Sequence, residues 1–424
     1  MFFKEFELPT PPSFPKLEAK ITDFGAKENE TCTDAIAKAI AYVNESGGGR
    51  VIMPKGNWLC GPIHLKSNVN LHFEEGAIVS FSTDRNDYLP VVLINYEGVR
   101  CYNYSPFIYA NGVENIAITG KGKLEGNGKS WWDWSKISLD GRNRLYKMMV
   151  STPVEERIFG RDEDYLRSPF VQILNSKNVL IEDIYLHNSP FWTVHLAWCE
   201  RVTVRGITIE NQTHSTNTDG INIDACNTAL VENCTLKTMG DDMFCLKSGR
   251  NQDGWDVGKA CENVVIRHCH GVGESTSGGI VIGSEMSGSV RNILAHDCDF
   301  ENNINCIRIK AKDGRGGVVE NIEYKNLRIK KGMRGINLTF RYSCEATDDP
   351  EVPFLNMPEF RNIYFENILC ENTDIGLAID GIPQGKMSNI HMKDVTIHAR
   401  QCMTADSVSG LNMTNVVFKQ IEKE

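Results

Sequence analysis

Several features that define other protein classes are missing from this sequence. Its 424 residues contain no apolar run of about 18 residues, so we expect no membrane span. Basic residues number 45 against 55 acidic ones, and the net charge of −10 argues against nucleic acid or an anionic membrane as a partner. The 14 cysteines form no CxxC pair and no Cys/His zinc spacing. We therefore expect no metal, no cofactor and mostly free, buried thiols.

The N-terminal segment lacks the apolar stretch of a signal peptide. Charged residues Lys4, Glu5 and Glu7 already interrupt its first seven positions. Together with free thiols, this favours a cytoplasmic protein in a reducing compartment. A secreted or periplasmic location is the alternative if a leader has been removed. The proline-rich residues 1–20 predict an extended N-terminal arm.

Helical periodicity is also scarce. One strong pattern runs from Asp34 to about Glu45, with Thr33 as its predicted N-cap and the glycines 47–49 as its stop. From Arg50 onward, two-residue alternation of apolar and polar positions dominates. This alternation indicates one short strand after another.

A short sequence motif recurs along the β-rich region: a polar residue, then Asn, then a stretch in which aliphatic residues alternate with others. Its asparagines are Asn115, Asn178, Asn263, Asn292, Asn321, Asn362 and Asn389. The steps from 263 to 292 and from 292 to 321 are each 29 residues, and the step from 362 to 389 is 27. A strand repeat of this length predicts an all-β, right-handed parallel β-helix over residues 21–424. The early helix would cover its N-terminal end, and the asparagines would stack as a ladder.

Two segments interrupt the repeat. Segment 125–168 contains Trp131, Trp132 and Trp134 among many arginines, and residues 344–358 are acidic and proline-containing. Tryptophan beside arginine suits a charged sugar, which would make the first segment the wall of a groove. The alternative is a solvated loop held in place by tryptophan packing.

Three carboxylates, Asp219, Asp241 and Asp242, stand between strand patterns about one strand–turn–strand unit apart. If successive units stack, these side chains meet on one face. Clustered carboxylates suit glycoside hydrolysis, because one can stay protonated while another is ionised. Arg308 and Lys310, two apart on a predicted strand, point the same way and add positive charge for an acidic sugar.

Together these motifs resemble those of glycoside hydrolase family 28, the polygalacturonases and related pectin-cleaving enzymes. The matching residues are Asn217-Thr218-Asp219, Gly240-Asp241-Asp242 and Arg308-Ile309-Lys310, in the family's order. Segments 102–106, 247–251 and 283–288 look like those of exo-acting bacterial members. The resemblance covers roughly residues 20–420 and implies a pectin-lyase-like right-handed parallel β-helix as the catalytic domain.

The resemblance implies roles for the carboxylates. Asp241 corresponds to the general acid of an inverting hydrolysis of α-linked galacturonic acid. Asp219 and Asp242 correspond to the carboxylates that hold and deprotonate water. We expect Asn217 to lie in the substrate site and to orient Asp219.

The resemblance also implies a binding site for the substrate. Arg308 and Lys310 correspond to ligands of its carboxylate, and Tyr342 to a tyrosine at a strand end. We place Lys247 in the same site, either touching substrate or neutralising the aspartates. The expected partner is a pectic oligosaccharide or polysaccharide, while the oligomeric state stays open.

The sequence departs from the family where a Gly-His-Gly motif usually stands. Depending on the alignment, Ser277 or Gly278 takes the place of the histidine. Some family members that cut rhamnogalacturonan also lack it. His214 and His268 are near enough in sequence to be substitutes.

The sequence is therefore compatible with four functions. The first is an exo-acting hydrolase that releases galacturonate, and the second is a rhamnogalacturonan-type galacturonosidase or hydrolase of the same mechanism. The third is a polysaccharide lyase that uses the acids for calcium and Arg or Lys as base. The fourth is a non-catalytic glycan-binding β-helix.

Overall fold

The computed structural model describes residues 2–238, 240–274, 277–342 and 356–422. Most of the second predicted interruption, residues 344–355, lies outside these ranges. The described cysteines are free, and all but the half-buried Cys402 are buried. Within the described ranges, no helix combines the length and apolarity needed to cross a membrane.

Parallel strands stack rung upon rung into three sheets. Sheet A contains β4 (Ile63–His64), β9 (Ile108–Asn111), β12 (Val171–Leu174), β15 (Val194–Ala197), β18 (Ile221–Asp224), β21 (Phe244–Lys247) and β24 (Gly278–Ile282). Sheet B contains β1 (Glu18–Lys20), β2 (Gly49–Met53), β5 (Val69–Phe73), β10 (Glu114–Gly120), β13 (Lys177–Glu182), β16 (Glu200–Arg205), β19 (Asn227–Glu232) and β22 (Cys261–Arg267). Sheet C contains β3 (Gly56–Cys60), β6 (Ala77–Phe81), β11 (Lys123–Glu125), β14 (Tyr185–His187), β17 (Thr208–Asn211), β20 (Thr235–Thr238) and β23 (His270–Val272).

Four long strands then run through all three sheets: β25 (Val290–Lys310), β26 (Val318–Thr339), β27 (Glu359–Asp380) and β28 (Lys386–Asp406). The last strand, β29 (Ser409–Gln420), pairs in parallel with β28. The predicted right-handed parallel β-helix is therefore confirmed. Its interior is a continuous apolar core, because every second side chain of each strand points inward.

The recurring asparagines stand at the corners between sheets and adopt the left-handed backbone conformation. For example, Asn263, Asn292 and Asn362 have φ of 57°, 56° and 55°. Asn tolerates this region better than other residues with a Cβ. Their amides stack as predicted: Asn292 donates to Asn263 at 2.7 Å, and Asn389 donates to Asn362 at 2.6 Å. One residue type thus turns the chain and links neighbouring rungs.

The early helix, α1 (Thr33–Glu45), packs against the first rung through Ile36, Ile40 and Val43. The predicted cap was wrong in detail. Thr33 is the first helical residue, and its hydroxyl accepts a hydrogen bond from Gly61 N at 2.7 Å.

The N-terminal residues run along the outside of sheet B across many rungs. Lys4 exchanges hydrogen bonds with Asn292 at 2.7 and 2.9 Å, whereas Leu17 O accepts from Arg50 N at 2.8 Å. Asn292 lies in β25 and Arg50 in β2, so the extended segment spans most of the stack.

Segment 125–168 is helical rather than a loop. It holds α2 (Lys129–Trp132), α3 (Trp134–Ile137) and α4 (Leu139–Ser151), and a later short helix, α5 (Asn251–Val257), lies beside α4. The groove-wall role predicted for the tryptophans was wrong. Trp131, Trp132 and Trp134 are only 2%, 8% and 8% exposed, and Trp131 packs edge-on against Tyr88 at 5.4 Å. Tryptophan packing fixes the helices against the solenoid.

Candidate active site

Asp219 and Asp242 occupy equivalent positions on successive rungs of sheet A, at the entry to β18 and β21. The backbone pairing shows this directly, because Gly220 N donates to Asp242 O at 2.9 Å. The glycines of both motifs are needed for this close stacking. A Cβ on Gly240 would lie 2.0 Å from Ser215 O, and one on Gly220 would lie 2.3 Å from Leu236 Cδ2. The motif spacing therefore brings both carboxylates to one face, as predicted.

Asp241 joins them from the turn before β21. Its Oδ1 accepts from the backbone N of Asp242 at 2.8 Å, and its Oδ2 accepts from Asn217 Nδ2 at 3.4 Å. We expected Asn217 to orient Asp219, but its amide is directed at Asp241 instead. The motif asparagine thus contacts the residue that the family resemblance makes the acid.

Two lysines pair with the stacked aspartates. Lys310 Nζ lies 2.8 Å from Asp242 Oδ2, and Lys247 Nζ lies 3.5 Å from Asp219 Oδ2. Burial opposes the charge of Lys247, but Glu285 and Asp219 outweigh it and raise the pKa of this lysine well above its usual value. Both lysines are therefore cations that balance the aspartates.

Arg308 and Lys310 end β25 together, as their two-residue spacing predicts. The Arg308 guanidinium lies 5.3 Å and the Lys310 ammonium 4.8 Å from the centre of the Tyr342 ring. Arg308 Nε is buried without a hydrogen-bond partner among the described residues. Lys310 and Tyr342 line the pocket, and Arg308 lies beside them against Tyr342, so this cationic edge suits a carboxylate. We call this edge, together with Asp219, Asp241 and Asp242, the catalytic floor.

The three carboxyl groups differ in their tendency to ionise. Burial, helped by the charge of Asp242, raises the pKa of Asp241 to about 6. Burial and Asp241 likewise raise the pKa of Asp219 well above its usual value. Burial acts on Asp242 too, but Lys310 and Arg308 outweigh it and lower its pKa. The floor thus holds a proton donor beside an ionised carboxylate, which general acid–base chemistry requires.

One side of the pocket was predicted only in part, because the sequence placed a groove wall in segment 125–168, which supplies Arg142, but did not predict the residues that meet it there. It is a cluster of charged and aromatic residues that we call the charged wall: Glu97, Arg142, Tyr146, Arg250 and Glu285. Glu97 stands at the tip of an antiparallel hairpin between β7 (Val92–Tyr96) and β8 (Val99–Asn103). Arg142 and Tyr146 come from α4.

Ion pairs connect the members of the charged wall. Arg142 Nη2 lies 3.0 Å from Glu97 Oε2, and Arg250 Nη2 lies 2.8 Å from Glu285 Oε1. Glu285 also accepts from Lys247 at 3.0 Å, which links the wall to the floor. Burial alone would raise the pKa of Glu97, but Arg142 and Arg250 outweigh it and hold this pKa below its usual value. The arginines and glutamates of the wall are therefore paired and charged, and the neutral Tyr146 donates a hydrogen bond to Glu97.

A sequence signal for part of this wall existed. Glu97-Gly98 separates two alternating apolar runs, and both residues have positive φ, 48° and 83°. A two-residue X-Gly connection of this kind is typical of a hairpin turn. Glu285 and Arg250 lie within the exo-like segments noted above, but only the folded chain shows that they meet.

Ser277 and Gly278, the two candidate positions for the family's histidine, both lie next to the carboxylates or their loop. Ser277 Oγ donates to Glu274 O at 2.9 Å and accepts from Asn303 Nδ2 at 3.1 Å. Gly278 stacks on Asp242, since an added Cβ would lie 2.4 Å from Asp242 Oδ1. His214 is exposed, and the His268 ring contacts that of His296 at 5.7 Å. Neither of these two histidines is among the pocket-lining residues.

Comparison with known proteins agrees with this geometry. Residues 161–422 match the model of glycosyl hydrolases family 28. A probable polygalacturonase from Vitis vinifera is 29% identical over 394 residues, 90% of this chain and 74% of that protein. A hyperthermoactive exopolygalacturonase from Thermotoga maritima superposes with a TM-score of 0.89 at 34% identity, covering 97% of this chain and 94% of that one.

A family 28 exopolygalacturonase from Yersinia enterocolitica shares the fold, with a TM-score of 0.75 at 19% identity over 96% of this chain and 78% of that one. Among the described residues, no group of three or more His, Cys, Asp or Glu side chains is arranged to hold a metal. The family model spans more than half of the chain, and the Thermotoga enzyme is similar over nearly all of it. The chain therefore belongs to glycoside hydrolase family 28 and is a hydrolase of the polygalacturonase type.

Proposed function

We propose that this protein is an exo-acting, inverting polygalacturonase that releases galacturonate from the non-reducing end of pectic chains. The observation that carries the proposal is the charged wall, which stands beside the catalytic floor. A hairpin tip and a helix that interrupt the β-helical repeat supply Glu97 and Arg142 to the pocket lining. A groove closed in this way accepts a chain end rather than a chain interior. The similarity to the Thermotoga exopolygalacturonase also supports exo action.

The floor carries out the reaction in this proposal. Asp241 gives its proton to the glycosidic oxygen as the bond from that oxygen to the anomeric carbon breaks. Asp242, ionised beside Lys310, takes a proton from the water that attacks the anomeric carbon from the other face, and Asp219 holds that water. The enclosed sugar is the one attacked, so it is the non-reducing end. A pKa of about 6 keeps much of Asp241 protonated in weak acid.

The cationic edge binds the substrate carboxylate. The buried Nε of Arg308 has no hydrogen-bond partner in the described part of the chain, and its guanidinium suits planar recognition of a carboxylate. Tyr342 lines the same pocket. Lys247 is already engaged by Asp219 and Glu285, so its main role is to balance their charge.

Digestion of polygalacturonate tests the proposal. An exo-acting enzyme releases reducing ends with little early loss of viscosity, and galacturonate is its first small product. A rapid fall in viscosity with a ladder of oligomers would contradict the proposed mode. Asp241→Asn serves as the control for contaminating activity.

One observation favours a second candidate. The position above Asp242 carries Gly278 and the neighbouring Ser277 rather than the histidine that the family resemblance leads us to expect, and the loss of that side chain suits a different neighbouring sugar. The alternative is a galacturonosidase that acts on rhamnogalacturonan oligosaccharides by the same mechanism. A panel of both oligomer types separates the two: faster cleavage of the rhamnose-containing set would favour the alternative. Membership of a family of hydrolases argues against a polysaccharide lyase and against a non-catalytic glycan-binding protein.

A further inference from the structure

A buried arginine from outside the family motifs contacts Asn217, which lies beside the catalytic floor. Arg167 lies just before β12 and is 1% exposed. Its guanidinium donates to the carbonyl oxygens of Pro190 at 3.2 Å and Thr216 at 2.6 Å, and to Asn217 Oδ1 at 2.9 Å. It also lies 5.0 Å from the centre of the Phe191 ring. These contacts hold the charged end of Arg167 from several directions.

Asn217 connects this arginine to the proposed acid. Because Arg167 occupies the amide oxygen of Asn217, the amide nitrogen is directed to the other side, toward Asp241 Oδ2 at 3.4 Å. Asn217 itself sits in the left-handed conformation, with φ of 58°, on the loop that Arg167 holds through Thr216. The backbone N of Asp242 holds the second oxygen of Asp241. Both oxygens of Asp241 therefore face a donor.

We propose that Arg167 is a positioning residue for the general acid, which fixes the plane of the Asp241 carboxyl group through the side chain of Asn217. The inference rests on the proposed function, in which Asp241 protonates the leaving oxygen. Arg167 touches no reacting atom in this scheme. Its effect is to keep the Asp241 proton in line with the glycosidic oxygen while the bond to the anomeric carbon breaks.

The charges around Asp241 come from every element packed on it. Asp219 and Asp242 disfavour its ionised form, whereas Lys310 and Lys247 favour that form. Arg167 adds a further attraction to Asp241 from the inserted segment. Removing the Arg167 charge therefore raises the pKa of Asp241, which also helps to keep the proton on. A higher pKa also makes Asp241 a weaker acid, which costs less than about tenfold in rate for each unit of pKa, so lost positioning accounts for the loss beyond that.

The test compares two substrates that need the acid to different degrees. Trigalacturonate has a poor sugar leaving group that requires protonation, whereas 4-nitrophenyl α-galacturonide has a leaving group that departs without it. The variants are Arg167→Gln, Asn217→Ala and the double variant. The matched control is Arg157→Gln, because Arg157 is another buried arginine of the same segment. It donates to Met149 O and Thr152 O and pairs with Asp253, away from the carboxylates of the catalytic floor.

We expect Arg167→Gln and Asn217→Ala each to lower kcat on trigalacturonate about 10- to 100-fold, part of what a general acid contributes, and to change kcat on the nitrophenyl substrate less than about 3-fold. The double variant should lose no more than the worse single variant, because the two residues act in series. The alkaline limb of the trigalacturonate pH profile should move to higher pH. Arg157→Gln should leave the ratio of the two substrates unchanged.

Equal losses on both substrates, or no loss on trigalacturonate, would overturn the inference while leaving the proposed function in place. If Arg167→Gln does not fold, Asn217→Ala tests the same connection, since it keeps the arginine's carbonyl contacts. If the wild-type enzyme hydrolyses neither substrate, the proposed function fails and the inference fails with it.

Discussion

The catalytic floor and the charged wall are both buried and charged, yet they are built differently. Two floor carboxylates have raised pKa values and a third a lowered one, so the floor holds a proton that can be moved. In the wall, Arg142 pairs with Glu97 and Arg250 with Glu285, so the charges are satisfied within it. The floor also comes from the regular rungs, whereas the wall comes largely from segments that interrupt them.

The difference indicates that the floor is built for proton transfer and the wall for limiting the shape of the pocket. A group that must gain and lose a proton needs surroundings that disfavour its charged form and so raise its pKa. The stacked aspartates provide such surroundings for one another. A group that must only limit the pocket is best fully paired, because a buried unpaired charge is costly. Changes in the floor should therefore alter rate and pH dependence, and changes in the wall should alter which part of the substrate fits.

The largest effect should follow the loss of the proposed acid. Asp241→Asn should lower kcat on oligogalacturonates about 10²- to 10⁴-fold, because the leaving oxygen is no longer protonated. Thermal unfolding should change little, since the Asn carbonyl can still accept from Asp242 N. Initial rates with chromatographic detection measure this. Turnover close to that of the wild type would remove Asp241 from the mechanism.

A smaller effect is expected at the lysine that keeps the proposed base ionised. In Lys310→Met the pKa of Asp242 should rise, because Lys310 is the main group that lowers it against burial. Asp242 acts when deprotonated, so the acid limb of the kcat/KM profile should move to higher pH. At pH 6 the variant should be roughly 10- to 100-fold slower, because less of Asp242 is ionised to act as the base. Lys393→Met, at a half-exposed surface pair with Glu366, is the control; an unmoved acid limb in Lys310→Met would argue against Asp242 as base.

Opening the wall should change products more than rate. Arg142→Ala removes the α4 side chain that faces the pocket and leaves Glu97 with Arg250 and Tyr146. We expect kcat to stay within about 10-fold and disaccharide to appear beside galacturonate. Arg144→Ala lies on the same helix but pairs with Asp164, and it should keep the monosaccharide pattern. If Arg142→Ala still yields galacturonate alone, the wall does not set product length.

The smallest functional effect should come from the asparagine ladder. Asn362→Ala loses two amide contacts and keeps the left-handed φ of 55°, so it should lower the free energy of unfolding by about 2 kcal/mol. Asn362→Gly accepts that backbone conformation and should cost about half as much. Urea unfolding measures both, and kcat should not change in either. Equal costs for the two variants would mean that backbone conformation contributes little at this corner.

The parts of the molecule that repeat were predictable from the sequence. The corner asparagines favour the left-handed backbone conformation that these turns need. The carboxylates of neighbouring rungs must meet because the rungs stack in register. The pairing of Arg308 and Lys310 on one side followed from strand geometry alone. In each case a short stretch of chain contains the information.

The assembly of the wall from its separate parts could not be predicted, because its contacts join distant parts of the chain. Arg250 Nε donates to Glu97 O at 3.1 Å across 153 residues. The tryptophans of the insertion were misplaced for the same reason, since their pattern does not say which surface they cover. The direction of Asn217 also depended on a distant residue, Arg167, which turns its amide toward Asp241.

The central claim is that the floor attacks a sugar enclosed by the wall. The most direct test is one early time point on tetragalacturonate labelled at its reducing end. The account predicts unlabelled galacturonate and labelled trisaccharide in equal amounts, with no other product at low conversion. Labelled disaccharide, or labelled galacturonate, as the first product would contradict it.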